Sequence, residues 1–104
     1  MANGRLAAIT PAANTNTLLY TSPAGTASLA ITVCNTGTST TNIRISIENS
    51  GAVGLARTNC IEYDTAISAN SVLERGGIIL ANGQNLYCRS SLTNVNFIVY
   101  GYES

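Results

Sequence analysis

Histidine, lysine and tryptophan are absent from this chain, and each absence narrows what it can do. Without histidine, the commonest general base and the commonest metal ligand are both missing. Charge is scarce as well. Five arginines balance five acidic residues, and only 10% of the 104 residues are charged, against a usual share of about 25%. Five scattered arginines make no counterion-releasing patch, so nucleic acid is not expected as a partner. No apolar run approaches the ~20 residues needed to span a bilayer, which argues against a membrane partner. The opening stretch MANGRLAAITPAANTNT lacks the continuous apolar core of a secretory signal, so synthesis and retention in a cytoplasm are expected. Cysteine is present only as Cys34, Cys60 and Cys88, with no C-x-x-C spacing. That odd count is a poor disulfide framework, and without histidine it makes no zinc site. A Cys60–Cys88 bridge would need the fold to bring the two together, and disulfides are rare in a reducing cytoplasm.

What is present is a strand-forming vocabulary. Hydrophobic residues make up 45% of the chain, and the remainder is rich in Asn, Thr and Ser. The length suits one domain with one modest core. Residues 1–17 are small and polar with Pro11, and read as an extended N-terminal arm rather than an element. Residues 18–104 read as the domain. In ASLAITVCN (27–35), Leu29, Ile31 and Val33 alternate with Ala30, Thr32 and Cys34. In NIRISIEN (42–49), Ile43, Ile45 and Ile47 face inward and Arg44, Ser46 and Glu48 outward. This period of two is the strand signature. CIEYDTAI (60–67) alternates Ile61, Tyr63 and Ile67 against Glu62 and Asp64, Gly76–Gly77 reads as a bend between two strands, and Asn82-Gly83 as a hairpin turn. VNFIVYGYE (95–103) is apolar on both faces, which places it centrally or at a subunit interface. No stretch carries a helical stripe. The expectation is an all-β, single-domain antiparallel β-sandwich or jelly roll of seven or eight short strands.

Catalytic candidates are few. Cys88 beside Arg89 fails, because neighbours along a strand point to opposite faces. Glu62 and Asp64, two apart on a strand, would share a face, but a small sandwich offers little cleft for paired carboxylates. Pairing of these acids with Arg44 or Arg57 is the simpler expectation. The glycine clusters lack the helix and lysine of a phosphate loop and read as turns. No enzyme activity, cofactor or metal is expected.

The segments LLYTSPAGTASLAITVCNTG, EYDTAISANSVLERGGIILANGQNLYCRSS and VNFIVYGYE resemble a family of small virion proteins of tailed bacteriophages, cyanophages among them. The resemblance runs from about Leu18 to Glu103 and rests on strand and turn patterns. It implies a non-enzymatic capsid decoration (cement) protein that binds the major capsid protein or other virion proteins and stabilises the shell. It also implies a place in the virion after assembly in the host cytoplasm. Alternatives are a tail or fibre component, or a host-receptor or carbohydrate-binding module using its tyrosines. The near-zero net charge favours association, and a homotrimer is the expected state. For partner contact the residues singled out are Arg5, Leu6 and Ile9 of the arm, Leu55 and Arg57 of the segment SGAVGLARTN (50–59), and Tyr100 and Tyr102 of the last strand. The arm is expected to be disordered alone and to add along another chain's sheet edge.

Overall fold

The computed structural model describes residues 3–23, 25–49 and 57–103. Eight strands lie among them: β1 (Asn3–Ile9), β2 (Thr17–Thr21), β3 (Thr26–Asn35), β4 (Thr41–Glu48), β5 (Cys60–Ile67), β6 (Val72–Ala81), β7 (Asn85–Ser90) and β8 (Val95–Glu103). A one-turn 3-10 helix, Arg57–Asn59, leads into β5. The strands form two four-stranded sheets, the first in order β1-β8-β3-β6 and the second in order β2-β7-β4-β5.

The pairing has a simple logic. Asn3 pairs with Tyr102, Thr17 with Cys88, Thr26 with Ala81 and Thr41 with Ile67, all antiparallel. The chain is thus one long hairpin, β1 to β4 against β5 to β8, doubled back beyond β4. Rolling that ribbon up brings β8 beside β3 and β7 beside β4, which closes the two sheets. This is the eight-stranded jelly roll, in which successive strands change sheet except where the ribbon doubles back between β4 and β5.

Alternation fills the space between the sheets. Leu29, Ile31 and Val33 of β3 meet Ile43 and Ile45 of β4, Leu86 and Cys88 of β7, and Val95, Phe97 and Val99 of β8 in one core cluster. Most of these side chains are wholly buried, and each contributes roughly 1.5–3 kcal/mol through burial. Among the described residues, polar side chains also link the sheets. Arg75, opposite Ile31 on β6, reaches Glu62, opposite Ile45 on β5, at 2.6 Å. Toward the β2 side, the Tyr20 hydroxyl donates to the Glu103 carboxylate, and burial followed by this bond raises the phenol's pKa. At the end of β3, buried Asn35 donates through Nδ2 to the carbonyls of Ser39 and Ile67 and accepts from the Gly37 N–H. The VCNTG segment is therefore a structural joint.

Several expectations need correction. The N-terminal residues are no free arm: Asn3–Ile9 is a strand paired with β8, and Leu6, Ala7 and Ile9 pack against the core. A register shift between Arg5 and Ala7 breaks the period of two, which hid the strand. Gly76–Gly77 does not divide two strands. It is a bulge inside β6, with Gly77 at φ 72, where the register with β3 slips between Leu29 and Ile31. The Asn82-Gly83 turn exists, with Gly83 at φ 84, but it carries the chain from one sheet to the other and makes no hairpin. Its Gly83 N–H donates to Ser22 instead. Ile43, Ile45 and Ile47 do face inward, opposite Ser90, Cys88 and Leu86. Ser46 and Glu48 lie on the outer face yet are buried, and Asn59 Nδ2 donates to Glu48 there.

Candidate functional site

The rolled ribbon leaves two broad outer faces, and their chemistry differs. On the first sheet the register sets outward residues in rows across the strands. Tyr102, Ser28 and Ile79 form one row; Arg5, Tyr100 and Ala30 the next; then Ala8, Ile98, Thr32 and Glu74; then Asn96, Cys34 and Val72. Ile79 (65% exposed), Tyr102 (59%) and Val72 (55%) are far more open to solvent than large apolar side chains usually are. Charge enters these rows only through Arg5 and Glu74, at opposite margins. This is an exposed apolar patch framed by small polar residues, the surface chemistry of a docking face.

The second sheet also exposes Leu18 and Tyr63, but it is distinguished by a cluster of charge. Arg44 of β4 and Arg89 of β7 stand directly opposite one another. Arg44 forms a two-pronged pair with Asp64, Nε to Oδ1 at 2.7 Å and Nη2 to Oδ2 at 3.2 Å. Its guanidinium also lies 4.4 Å from the Tyr63 ring centroid, and that of Arg57 lies 5.2 Å from the same ring. The hydrogen bonds from Arg44, reinforced by Arg89 and Arg57 further off, hold the Asp64 carboxyl below its ordinary pKa. Arg89 Nη1 donates to Asn16 Oδ1 at 3.2 Å. Asn14, Asn42, Arg44, Asp64, Arg89 and Ser91 line an open cleft of about 180 Å³. Its walls are fixed by main-chain bonds: the Asn14 N–H donates to the Ser90 carbonyl at 2.8 Å and the Ser91 N–H to the Asn42 carbonyl at 3.0 Å.

Local backbone explains how Asp64 arrives there. Between Glu62 and Thr65 the register against β4 slips, and Asp64 takes φ 51. The extra residue turns Tyr63 and Asp64 toward Arg44, while Glu62 points between the sheets to Arg75. The two carboxylates expected on one face are therefore on different faces, and each has its own arginine. Locked into its ion pair, Asp64 is no proton donor at neutral pH. The Cys88 thiol is fully buried, and burial pushes its pKa up to about 12, so it is a core side chain and not a nucleophile. Cys60, opposite outer-face Ser46, and Cys88, opposite inner-face Ile45, point to different sides of the second sheet, and no disulfide joins them. No group of three metal-ligating side chains occurs among the described residues.

The residues expected to contact partners divide among these environments. Arg5, Tyr100 and Tyr102 come together on the first sheet's outer face, since Arg5 pairs with Tyr100. Leu6 and Ile9 are half-buried against the core of their own chain. Arg57 lies on the opposite side of the molecule, beside Tyr63. Leu55 lies outside the described residues. Sequence reasoning missed Ile79 and Val72, whose alternation was obscured by the glycine bulge. It also missed the cleft, because nothing local signals that β4 and β7 are neighbours. No family model, curated protein or solved structure matches the chain.

Proposed function

We propose that this chain is a non-enzymatic phage virion protein that decorates the capsid, laying the outer face of its first sheet on the shell and on sister copies as a trimer. The observation that carries the reading is the patch of Tyr100, Tyr102, Ile79 and Val72. Four large, largely apolar side chains exposed on one face are costly to leave in water, and docking removes that cost. The jelly roll is a recurrent architecture of viral capsid and lectin domains, which supports the reading by analogy of fold alone. The resemblance of the strand and turn segments to phage virion proteins supports a partner among virion proteins, the major capsid protein or another.

The test is stoichiometry together with a face variant. Quantitative mass spectrometry of virions encoding the chain should find it in many copies, in fixed ratio to the major capsid protein. A few copies per particle would instead indicate a tail or fibre component, and absence from the particle would overturn the reading. Tyr102→Asp should fold normally yet fail to bind undecorated shells. Undiminished binding by that variant would exclude this face as the contact.

A further inference from the structure

The polar cleft on the second sheet has no part in that docking, since it lies on the opposite face. We propose that the cleft binds an acidic saccharide, with Arg89 and the remaining N–H groups of Arg44 taking its carboxylate and Asp64, Asn14 and Asn42 engaging its hydroxyls. Arg44 and Arg89 are a like-charged pair directly opposite on neighbouring strands, an arrangement that destabilises a sheet unless something compensates. Asp64 feels both charges but spends its hydrogen bonds on Arg44. A second anion in the cleft would complete the set.

The donor and acceptor inventory defines what kind of anion. A guanidinium has five N–H donors, and Arg44 commits Nε and Nη2 to Asp64 while Arg89 commits Nη1 to Asn16, leaving donors on both. Each Asp64 oxygen accepts one bond from Arg44, whereas an ionised carboxylate offers about four acceptor sites. The side-chain amides of Asn14 and Asn42 have no protein hydrogen bond among the described residues, and both residues line the cleft. Inorganic phosphate would be repelled by Asp64 and, with only one or two O–H groups at neutral pH, would leave most of these acceptors without donors. An acidic side chain of a protein would use the arginines alone. A sugar acid supplies one planar carboxylate for the guanidinium fork and several hydroxyls for the acceptors beside it. The cleft volume of about 180 Å³ is well below the roughly 300–1,000 Å³ of pockets that engulf drug-sized ligands, so it takes one sugar unit of a longer chain. Single-site affinity is then weak, and an oligomer would raise it by multivalency.

Titration of the isotope-labelled full chain at constant ionic strength tests this, with D-glucuronate, D-glucose, acetate and inorganic phosphate as probes. Glucuronate should give saturable NMR shifts at the Arg89 Nε–H and the Asn42 side-chain amide. Glucose, acetate and phosphate should each bind at least about tenfold more weakly. Arg89→Gln should weaken glucuronate binding by about tenfold or more with an unchanged melting temperature. Asn42→Ala, on an exposed side chain, should also weaken it, and serves should Arg89→Gln fail to fold. The absence of localised shifts with glucuronate would overturn the proposal. Equal binding of glucose would overturn the role of the arginines, and equal binding of acetate or phosphate would overturn the saccharide.

Discussion

At the scale of single residues, the strongest constraint falls on Gly101. A Cβ added there would lie 2.0 Å from the Ser28 carbonyl oxygen, and its φ of 148 is a conformation that L side chains rarely adopt. The backbone of β3 cannot retreat without opening the centre of the first sheet. Gly101→Ala should therefore lower stability by about 3 kcal/mol or more in chemical denaturation. Gly77 is the control, with a φ of 72 but nothing within 4 Å of a built Cβ, so Gly77→Ala should cost only about 1 kcal/mol. Equal losses would mean that strain and not contact dominates at Gly101. Cys88 supplies a pH dependence. Its ordinary thiol value of 9.0 is raised to about 12 by burial, so the unfolded chain ionises first as pH rises. The stabilisation is complete below about pH 9 and is lost as pH climbs toward the folded value, amounting to about 1.4 kcal/mol by pH 10. Under reducing conditions, Cys88→Val should show a shallower fall in melting temperature between pH 9 and 10 than the parent chain. Parallel curves would assign the alkaline transition elsewhere.

At the scale of elements, the decisive strand is β1. Leu6, Ala7 and Ile9 pack on the core, and the backbone of β1 satisfies one edge of β8. Deleting residues 2–9 should lower stability by at least about 2 kcal/mol and expose an apolar edge that promotes aggregation. A truncated chain that melts like the parent would show that β1 contributes little to the fold. This strand also marks the limit of what the sequence discloses. Clean alternation, as in Leu29-Ala30-Ile31-Thr32-Val33, reveals a strand and its inward face because burial has a period of two. A bulge cancels that signal: it hid β1, divided β6, and assigned Asp64 to the face of Glu62. Pairing between distant strands leaves no local trace. Arg44 and Arg89 were legible separately as outward residues, but their meeting depends on the rolling of the whole ribbon. Tyr100 and Tyr102 were legible as outward-facing residues because β8 alternates and is apolar on both faces. Ile79, beyond the glycine bulge, was not.

At the scale of the whole molecule, the two outer faces set up an asymmetric particle. Equal numbers of basic and acidic residues give almost no net repulsion between copies, and three of the five arginines, Arg44, Arg57 and Arg89, lie on the side away from the apolar patch. The broad side of a body measuring 39 × 27 × 20 Å is of the size that a stable interface needs, about 800 Å² per partner. Self-association should therefore run through the first sheet and leave the cleft open. The double variant Ile79→Lys, Tyr102→Lys places two positive charges on that face without touching the core, since both side chains are mostly exposed. It should sediment as a monomer with the parent melting temperature, whereas Arg89→Gln should keep the parent oligomeric state. Salt discriminates further: charge-driven assembly weakens over a screening length of about 10 Å at 0.1 M, whereas apolar docking persists or strengthens. A parent chain that sediments as a monomer at every salt concentration, or a double variant that still assembles, would remove the first sheet as the self-association surface.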